Sequence, residues 1–318
     1  MGADAVVPPD ALVLGGGGTL GEAWLNAVLA GLDEPDGFDV CGCSSYLGTS
    51  AGSIVATALA NGVHPRERLD RPVQQSSTAG SEPHDEPSEI RSAFETAAGL
   101  GTAAAAPLAS WILSSTAAAA GGAALRRAAL ARVRPGRRAL TQLDLAIVRS
   151  GARWDGRLRI AVVDMESGRR VMMGAPGARE LSVSEAVQAS CAIPGVFRPV
   201  HVGGHTYVDG GAWSPTNMDA AEVVRNDRVL CLNPTGSLRP TLGKPLGVLG
   251  LLSRSRATAE ALALTARGAR VSTINPDEGS ARALGTDLMD PTRRDDVINA
   301  GLAQGRRLAQ GRTLTRER

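Results

Sequence analysis

Ser45-Tyr46-Leu47-Gly48-Thr49-Ser50-Ala51-Gly52-Ser53-Ile54-Val55-Ala56 is the stretch that decides how this chain is read. The residues up to Gly48 have strand character, those after Ser50 continue as a helical run to Gly62, and Gly-x-Ser-x-Gly sits at the join. A serine on such a strand-to-helix turn is held in a strained backbone with its hydroxyl exposed, while the flanking Gly48 and Gly52 let strand and helix pack closely. The helix that follows turns its free N–H groups toward the serine and favours developing negative charge there. Ser50 is therefore the candidate nucleophile. The same five residues would also serve as a plain helix entry with Ser50 as N-cap, so the neighbouring segments have to discriminate.

Upstream, the apolar run at residues 11 to 14 stops at Gly15-Gly16-Gly17-Gly18, and helical spacing returns over residues 21 to 32. This strand, glycine turn and helix can be read two ways. Gly16, Gly18 and Gly21 satisfy the Gly-x-Gly-x-x-Gly spacing of a dinucleotide site, with Asp39 offered as the ribose acid, which is the reading of an oxidoreductase. Alternatively, backbone N–H groups of the loop, Gly17 and Gly18 first, face an oxyanion formed at Ser50. The next strand runs directly into the serine turn, and one site seldom needs both chemistries.

Downstream, LRIAVVD (158 to 164) and RRVMM flank a Glu166-Ser167-Gly168 turn, and PVHV and HTYVD flank Gly203-Gly204, so both read as hairpins. Segments 229 to 233 and 269 to 276 supply later buried strands, with a helical pattern at 254 to 266 between them and a final helix from about Asp295 to Gln310. Alternation of strands and helices indicates a largely parallel sheet. A base for Ser50 can come from a triad of Ser50, Asp164 and His201 or His205, or from Asp209, which ends a strand just before Gly210-Gly211. A lone aspartate works only if burial raises its pKa, and Asp-Gly-Gly is also an ordinary turn sequence.

Taken together, Gly16-Gly17-Gly18-Thr19-Leu20-Gly21, Gly48-Thr49-Ser50-Ala51-Gly52 and Asp209-Gly210-Gly211 resemble the patatin-like phospholipase family in order and spacing. Residues 189 to 199, ASCAIPGVFRP, look like the family's segment before its aspartate. The resemblance implies a three-layer α/β/α patatin-like fold with a mostly parallel central sheet. It implies Ser50 as nucleophile, Asp209 as general base and acid, and an oxyanion hole from Gly16, Gly17 and Gly18 with Thr19 beside them. Gly48, Gly52, Gly210 and Gly211 then support the elbow and the Asp-Gly-Gly turn, the histidines need no catalytic role, and no cofactor or metal is required. The implied activity is cleavage of carboxylic esters of lipids. Leu20 stands where the family usually has Arg or Lys, which bears on the anchoring of the loop and on headgroup preference. A catalytically silent relative acting as a binding scaffold is a third reading.

The 318 residues divide into an expected disordered tail at 1 to 10, one domain at 11 to 313, and a tail at 314 to 318. Residues 72 to 140 stand out as an Ala-rich, helical, lid-like insertion. In it, the charge-free stretch Thr96 to Leu125 is followed by Arg126, Arg127, Arg132, Arg134, Arg137 and Arg138. Pro107, Gly121-Gly122 and the scarcity of strongly lipophilic side chains argue against a membrane span. The segment instead suggests peripheral docking on anionic membrane through Trp111 to Leu113 and Arg126 to Arg138. A net charge of +2 gives no general reason to expect nucleic acid. The opening MGADAVVPPD lacks a secretory pattern, so the expected compartment is cytoplasmic. Cys41, Cys43, Cys191 and Cys231 match no zinc set or disulfide framework and are expected as buried thiols.

Overall fold

Strand β1 (Ala11–Leu14) is wholly buried and paired in parallel on both edges, with β2 (Ser45–Thr49) and with β7 (Arg228–Leu232). A run of four apolar residues suits this central place, because both of its faces must be covered. The computed structural model describes residues 8–33, 38–69, 122–237 and 246–316. Around β1 the sheet continues through β3 (Leu158–Asp164), β4 (Arg170–Met173), β5 (Val200–Val202), β6 (His205–Asp209) and β8 (Arg270–Ile274). The hydrogen-bonded order is β5-β6-β3-β2-β1-β7-β8, with β4 also on β3. The pairs among β3, β2, β1, β7 and β8 are parallel, whereas β4, β5 and β6 form antiparallel pairs. In the β5-β6 hairpin Gly203 and Gly204 both have positive φ, 58° and 76°, as a two-residue turn with the twist of its strands requires.

Helices cover both faces. On one side, Leu12, Leu14, Tyr46, Ile160 and Val162 pack against α1 (Gly18–Leu32), α2 (Ala51–Ala60), α5 (Thr141–Arg149), α6 (Val183–Cys191) and α9 (Arg294–Arg316). On the other, Val13, Leu47 and Cys231 meet Ala257 and Leu264 of α7 (Leu246–Ala266), and Val163 and Val208 meet Leu130 of α4 (Ala123–Arg132). Two short helices, α3 (Pro65–Leu69) and α8 (Glu278–Leu284), complete the described set. This is the expected three-layer arrangement. Residues Leu20 to Leu32 of α1 are all buried, since the helix lies between the sheet and α9 rather than on the surface. Its one acid, Glu22, is matched by Arg68 at 2.6 Å.

Several expectations need correction. Helix α1 begins at Gly18 rather than residue 21, because the last glycine of the loop, at φ +61°, opens directly into it. Strand β8 is an edge strand with Arg270, Ser272 and Thr273 exposed, not a buried one. The expected N-terminal tail is tied down at its end: Asp10 accepts from Arg228 N–H at 2.7 Å, and its carbonyl accepts from Ser45 N–H at 2.9 Å. Helix α9 runs to Arg316, past the expected start of the C-terminal tail. Of the insertion, the stretch up to residue 121, including Trp111 to Leu113, lies outside the described residues; the remainder contains α4. Cys43, Cys191 and Cys231 are buried free thiols, whereas Cys41 is half-buried beside a short 3₁₀ turn capped by Asp39. Among the described residues, no helix is long and apolar enough to cross a membrane.

Candidate active site

The register of β3 brings two strand ends together. Ala161 pairs with Thr49 of β2 on one edge and with Met172 of β4 on the other. One residue further, Val162 pairs with Val171 of β4 and with Asp209 of β6. Because β4 keeps its edge, β2 and β6 share the opposite one. They run toward each other along it and stop at adjacent rungs, so the residue after Thr49 and the last residue of β6 meet. Those residues are Ser50 and Asp209.

Ser50 has φ 52° and ψ −125°, a conformation that favours glycine, and it is held there by its neighbours. Its N–H donates to Ser190 Oγ at 2.9 Å, and its carbonyl accepts from Ser53 N–H and Ser53 Oγ, each at 2.7 Å. The two elbow glycines are needed for close approach. A β-carbon on Gly48 would stand 2.4 Å from Ser53 Cα, and one on Gly52 would stand 2.0 Å from the Leu14 carbonyl oxygen.

Asp209 is 2% exposed. Burial pushes its carboxyl from the ordinary 3.8 up to about 7, opposed by hydrogen bonds from Gly211 N–H and the Ser50 hydroxyl that favour the ionised form. The Gly211 bond is 2.7 Å long and closes the Asp-Gly-Gly turn. Gly210 lies against β3, where a β-carbon would stand 2.3 Å from the Ala161 carbonyl oxygen. The aspartate thus combines a buried environment with a fixed backbone, and it can exchange a proton with Ser50 near neutral pH.

The glycine loop divides in two. Gly16 N–H donates to Pro215 O at 2.8 Å, so the expectation that it contributes a free donor is not met. Its part is contact, since a β-carbon there would stand 3.2 Å from Ser50 Cβ. Gly17 and Gly18 follow at the first turn of α1, and among the described residues no hydrogen bond is accepted from either N–H group. The Thr19 hydroxyl is committed to Leu288 O at 3.2 Å, and Leu20 N–H donates to the same carbonyl at 3.0 Å. Leu20 itself is buried in the core. The loop is thus anchored through Leu288 and by the apolar packing of Leu20.

The residues of the histidine alternative are brought together elsewhere. His205 Nδ1 lies 2.8 Å from Asp164 Oδ2, and His201 pairs with Thr206 at 3.1 Å. Asp164 is three residues beyond the Ala161 rung, about 10 Å along the strand from the Ser50 end. Hydrogen bonds from Ser167 and His205 hold its carboxyl below the ordinary range despite desolvation, so it closes the β3-β4 turn as an anion. Asp39, the acid of the dinucleotide reading, caps Cys41 N–H on an exposed turn.

One contributor had no signal in the sequence. Asn217, in the left-handed region at φ 52°, donates from Nδ2 to Thr49 Oγ1, Gly210 O and Ser214 O at 3.1, 3.2 and 2.6 Å. It ties the end of β2 to the Asp-Gly-Gly turn. Buried Glu260 of α7 holds the same loop by accepting from Thr216 Oγ1 and Met218 N–H at 2.5 and 2.9 Å. Arg126, expected on a basic surface, is instead buried. It donates to Ala212 O and Gly168 O at 3.1 and 2.9 Å and stacks over Trp213, so it braces the loop that follows Asp209.

No curated protein matches this chain. Among solved structures, VipD from Legionella pneumophila is similar at 14% identity and a TM-score of 0.43, over 95% of this chain and 67% of that one. The family model described as patatin-like phospholipase matches residues 12–222, a span that holds the glycine loop, the serine elbow and the Asp-Gly-Gly turn, and the chain belongs to that family.

Proposed function

We propose that this chain is a serine acyl hydrolase that cleaves carboxylic esters of lipids with a Ser50 and Asp209 dyad. The observation that carries the reading is the meeting of β2 and β6 on one edge of β3, with the strained Ser50 against a buried carboxylate. Ser50 Oγ attacks the ester carbonyl carbon while Asp209 accepts its proton. The carbonyl oxygen, now an oxyanion, faces the N–H groups of Gly17 and Gly18. Collapse breaks the bond to the leaving alcohol, to which Asp209 returns the proton. Water then attacks the acyl group on Ser50, giving a proton to Asp209, and the fatty acid departs as the bond to Ser50 Oγ breaks and Asp209 passes that proton to Ser50 Oγ. Gly16 pressed against Ser50, with its N–H already used, favours this over a dinucleotide loop.

A fluorophosphonate probe, which reacts with activated serines, is expected to label the protein once, on the peptide that carries Ser50. A folded protein that stays unlabelled, or is labelled elsewhere, removes the reading.

Contact with an anionic lipid surface is the second part of the proposal. Of the six arginines Arg127, Arg132, Arg134 and Arg137 are exposed, whereas Arg126 is buried and Arg138 half-buried, so these two drop out of the set. Replacing these four by glutamine is expected to weaken co-sedimentation with anionic vesicles, and wild-type binding is expected to weaken as salt rises. Binding that ignores both changes excludes an electrostatic dock.

A further inference from the structure

We infer that Ser190 is a positioning residue for the nucleophile, an assignment that rests on the acyl hydrolase reading above. Ser190 lies in the last turn of α6 and is completely buried. Its hydroxyl donates to Ala161 O at 2.8 Å, which turns its oxygen lone pairs toward the Ser50 N–H that donates to it at 2.9 Å. Two residues on, the carbonyl of Ala192 accepts from Asp209 N–H at 3.1 Å. The end of one helix therefore grips both reacting residues through their backbones, at the place where β2 and β6 stop.

This grip has a specific task. After Thr49 the ladder between β2 and β3 ends, so the Ser50 N–H has no strand partner, and the residue sits in a backbone region that a serine rarely adopts. A buried N–H must be paired, and in this strained conformation Ser190 Oγ is the partner. Ser190 touches neither acyl group nor proton in transit; it acts through the direction in which Ser50 Oγ points. The neighbouring Cys191 Sγ lies 3.9 Å from Ser53 Oγ, which itself bonds the Ser50 carbonyl, so the same turn of α6 closes on the elbow from both sides of the peptide.

The test compares Ser190→Ala with Ser184→Ala in the full chain. Ser184 is on the same helix, but its hydroxyl bonds Asp144 and not the elbow. The readouts are the fraction of sites titrated by a fluorophosphonate, the inactivation rate constant per titrated site, and kcat and KM on a p-nitrophenyl acyl ester. Ser190→Ala is expected to titrate completely but to react about 30-fold to 100-fold more slowly, with kcat reduced in parallel and KM nearly unchanged. Ser184→Ala is expected to keep the wild-type rate per site, whatever its melting temperature does. Ser190→Cys, close in shape but a weaker acceptor, is expected to stay folded and to react more slowly than wild type, which keeps the test available if the alanine variant does not fold. The inference is overturned if the loss lies only in the fraction of sites titrated while the rate per site stays at the wild-type value, or if Ser184→Ala slows equally. A wild-type protein that the probe does not label removes the parent reading as well, which separates the two failures.

Discussion

Asp209→Asn is expected to slow acylation of Ser50 by on the order of 10³-fold while making the folded protein more stable at alkaline pH. Both effects come from one buried carboxyl. Asparagine keeps the shape and the acceptor for Gly211 N–H, so the turn survives, but it cannot take the Ser50 proton. For stability the sign follows from the direction of the shift. The folded protein holds a proton on Asp209 up to about pH 7, whereas the unfolded chain gives it up near 3.8. Stability from this group is therefore complete at low pH and is lost as pH rises between those two values. At pH 8 the cost of the buried charge approaches roughly 4 kcal/mol, and asparagine does not incur it. Melting curves of the two proteins are expected to coincide near pH 4, as far as this group is concerned, and to separate in favour of the variant toward pH 8. Over the same range kcat/KM of the wild type is expected to fall below about pH 7 as the base is protonated. An asparagine variant that hydrolyses esters at the wild-type rate rules out the dyad, and coincident melting at pH 8 rules out the buried carboxylate.

Gly52→Ala is expected to prevent folding. The added β-carbon would lie 2.0 Å from the Leu14 carbonyl oxygen and 2.5 Å from its carbon, both backbone atoms of the central strand. No side-chain rotation relieves such a contact. Either β1 leaves its position between β2 and β7 or α2 moves away from the sheet, and each disrupts the largest apolar cluster. Overpacking against a flexible side chain costs about 1 to 3 kcal/mol, and a clash with backbone exceeds that, enough to remove the stability of an ordinary domain. The comparison is Gly279→Ala, in α8, where the nearest atom is Asp277 Oδ1 at 3.5 Å. There alanine is expected to stabilise by about 0.5 to 1 kcal/mol through helix propensity alone. Soluble yield and melting temperature read both variants. A Gly52→Ala protein that melts like wild type would falsify the close approach of α2 to β1.

Local chemistry made much of this protein legible in its sequence. The glycines at 203 and 204 permit a hairpin turn that few other residues adopt, and a hairpin stands there. The Gly-x-Ser-x-Gly join likewise became a strained serine between strand and helix. Period and composition were less informative where burial depends on distant segments. The segment that forms β8 reads as a buried strand, with Val271 and Ile274 as its apolar residues, but only the order of strands places it at an edge. Arg126 belongs by sequence to a basic cluster, yet α4 lays it over Trp213 and under two backbone carbonyls, where its charge serves packing rather than surface potential. Gly16 looked like any other donor of the glycine loop until Pro215, some two hundred residues on, took its N–H.

The sequence by itself marked out the two candidate positions, Ser50 and Asp209, and their local backbones, because a strained turn, a close approach and a hairpin reversal each demand particular residues within a few places of one another. It could not determine that Ser50 and Asp209 meet, which carboxyl or imidazole lies against the serine, or which loop N–H groups remain unpaired among the described residues. Those outcomes depend on two strands sharing one edge of β3, on the burial that lifts the Asp209 pKa, and on partners such as Ser190 and Asn217. Hydrogen bonds and desolvation act over a few ångströms of space, and only the tertiary fold decides which distant residues come within that reach.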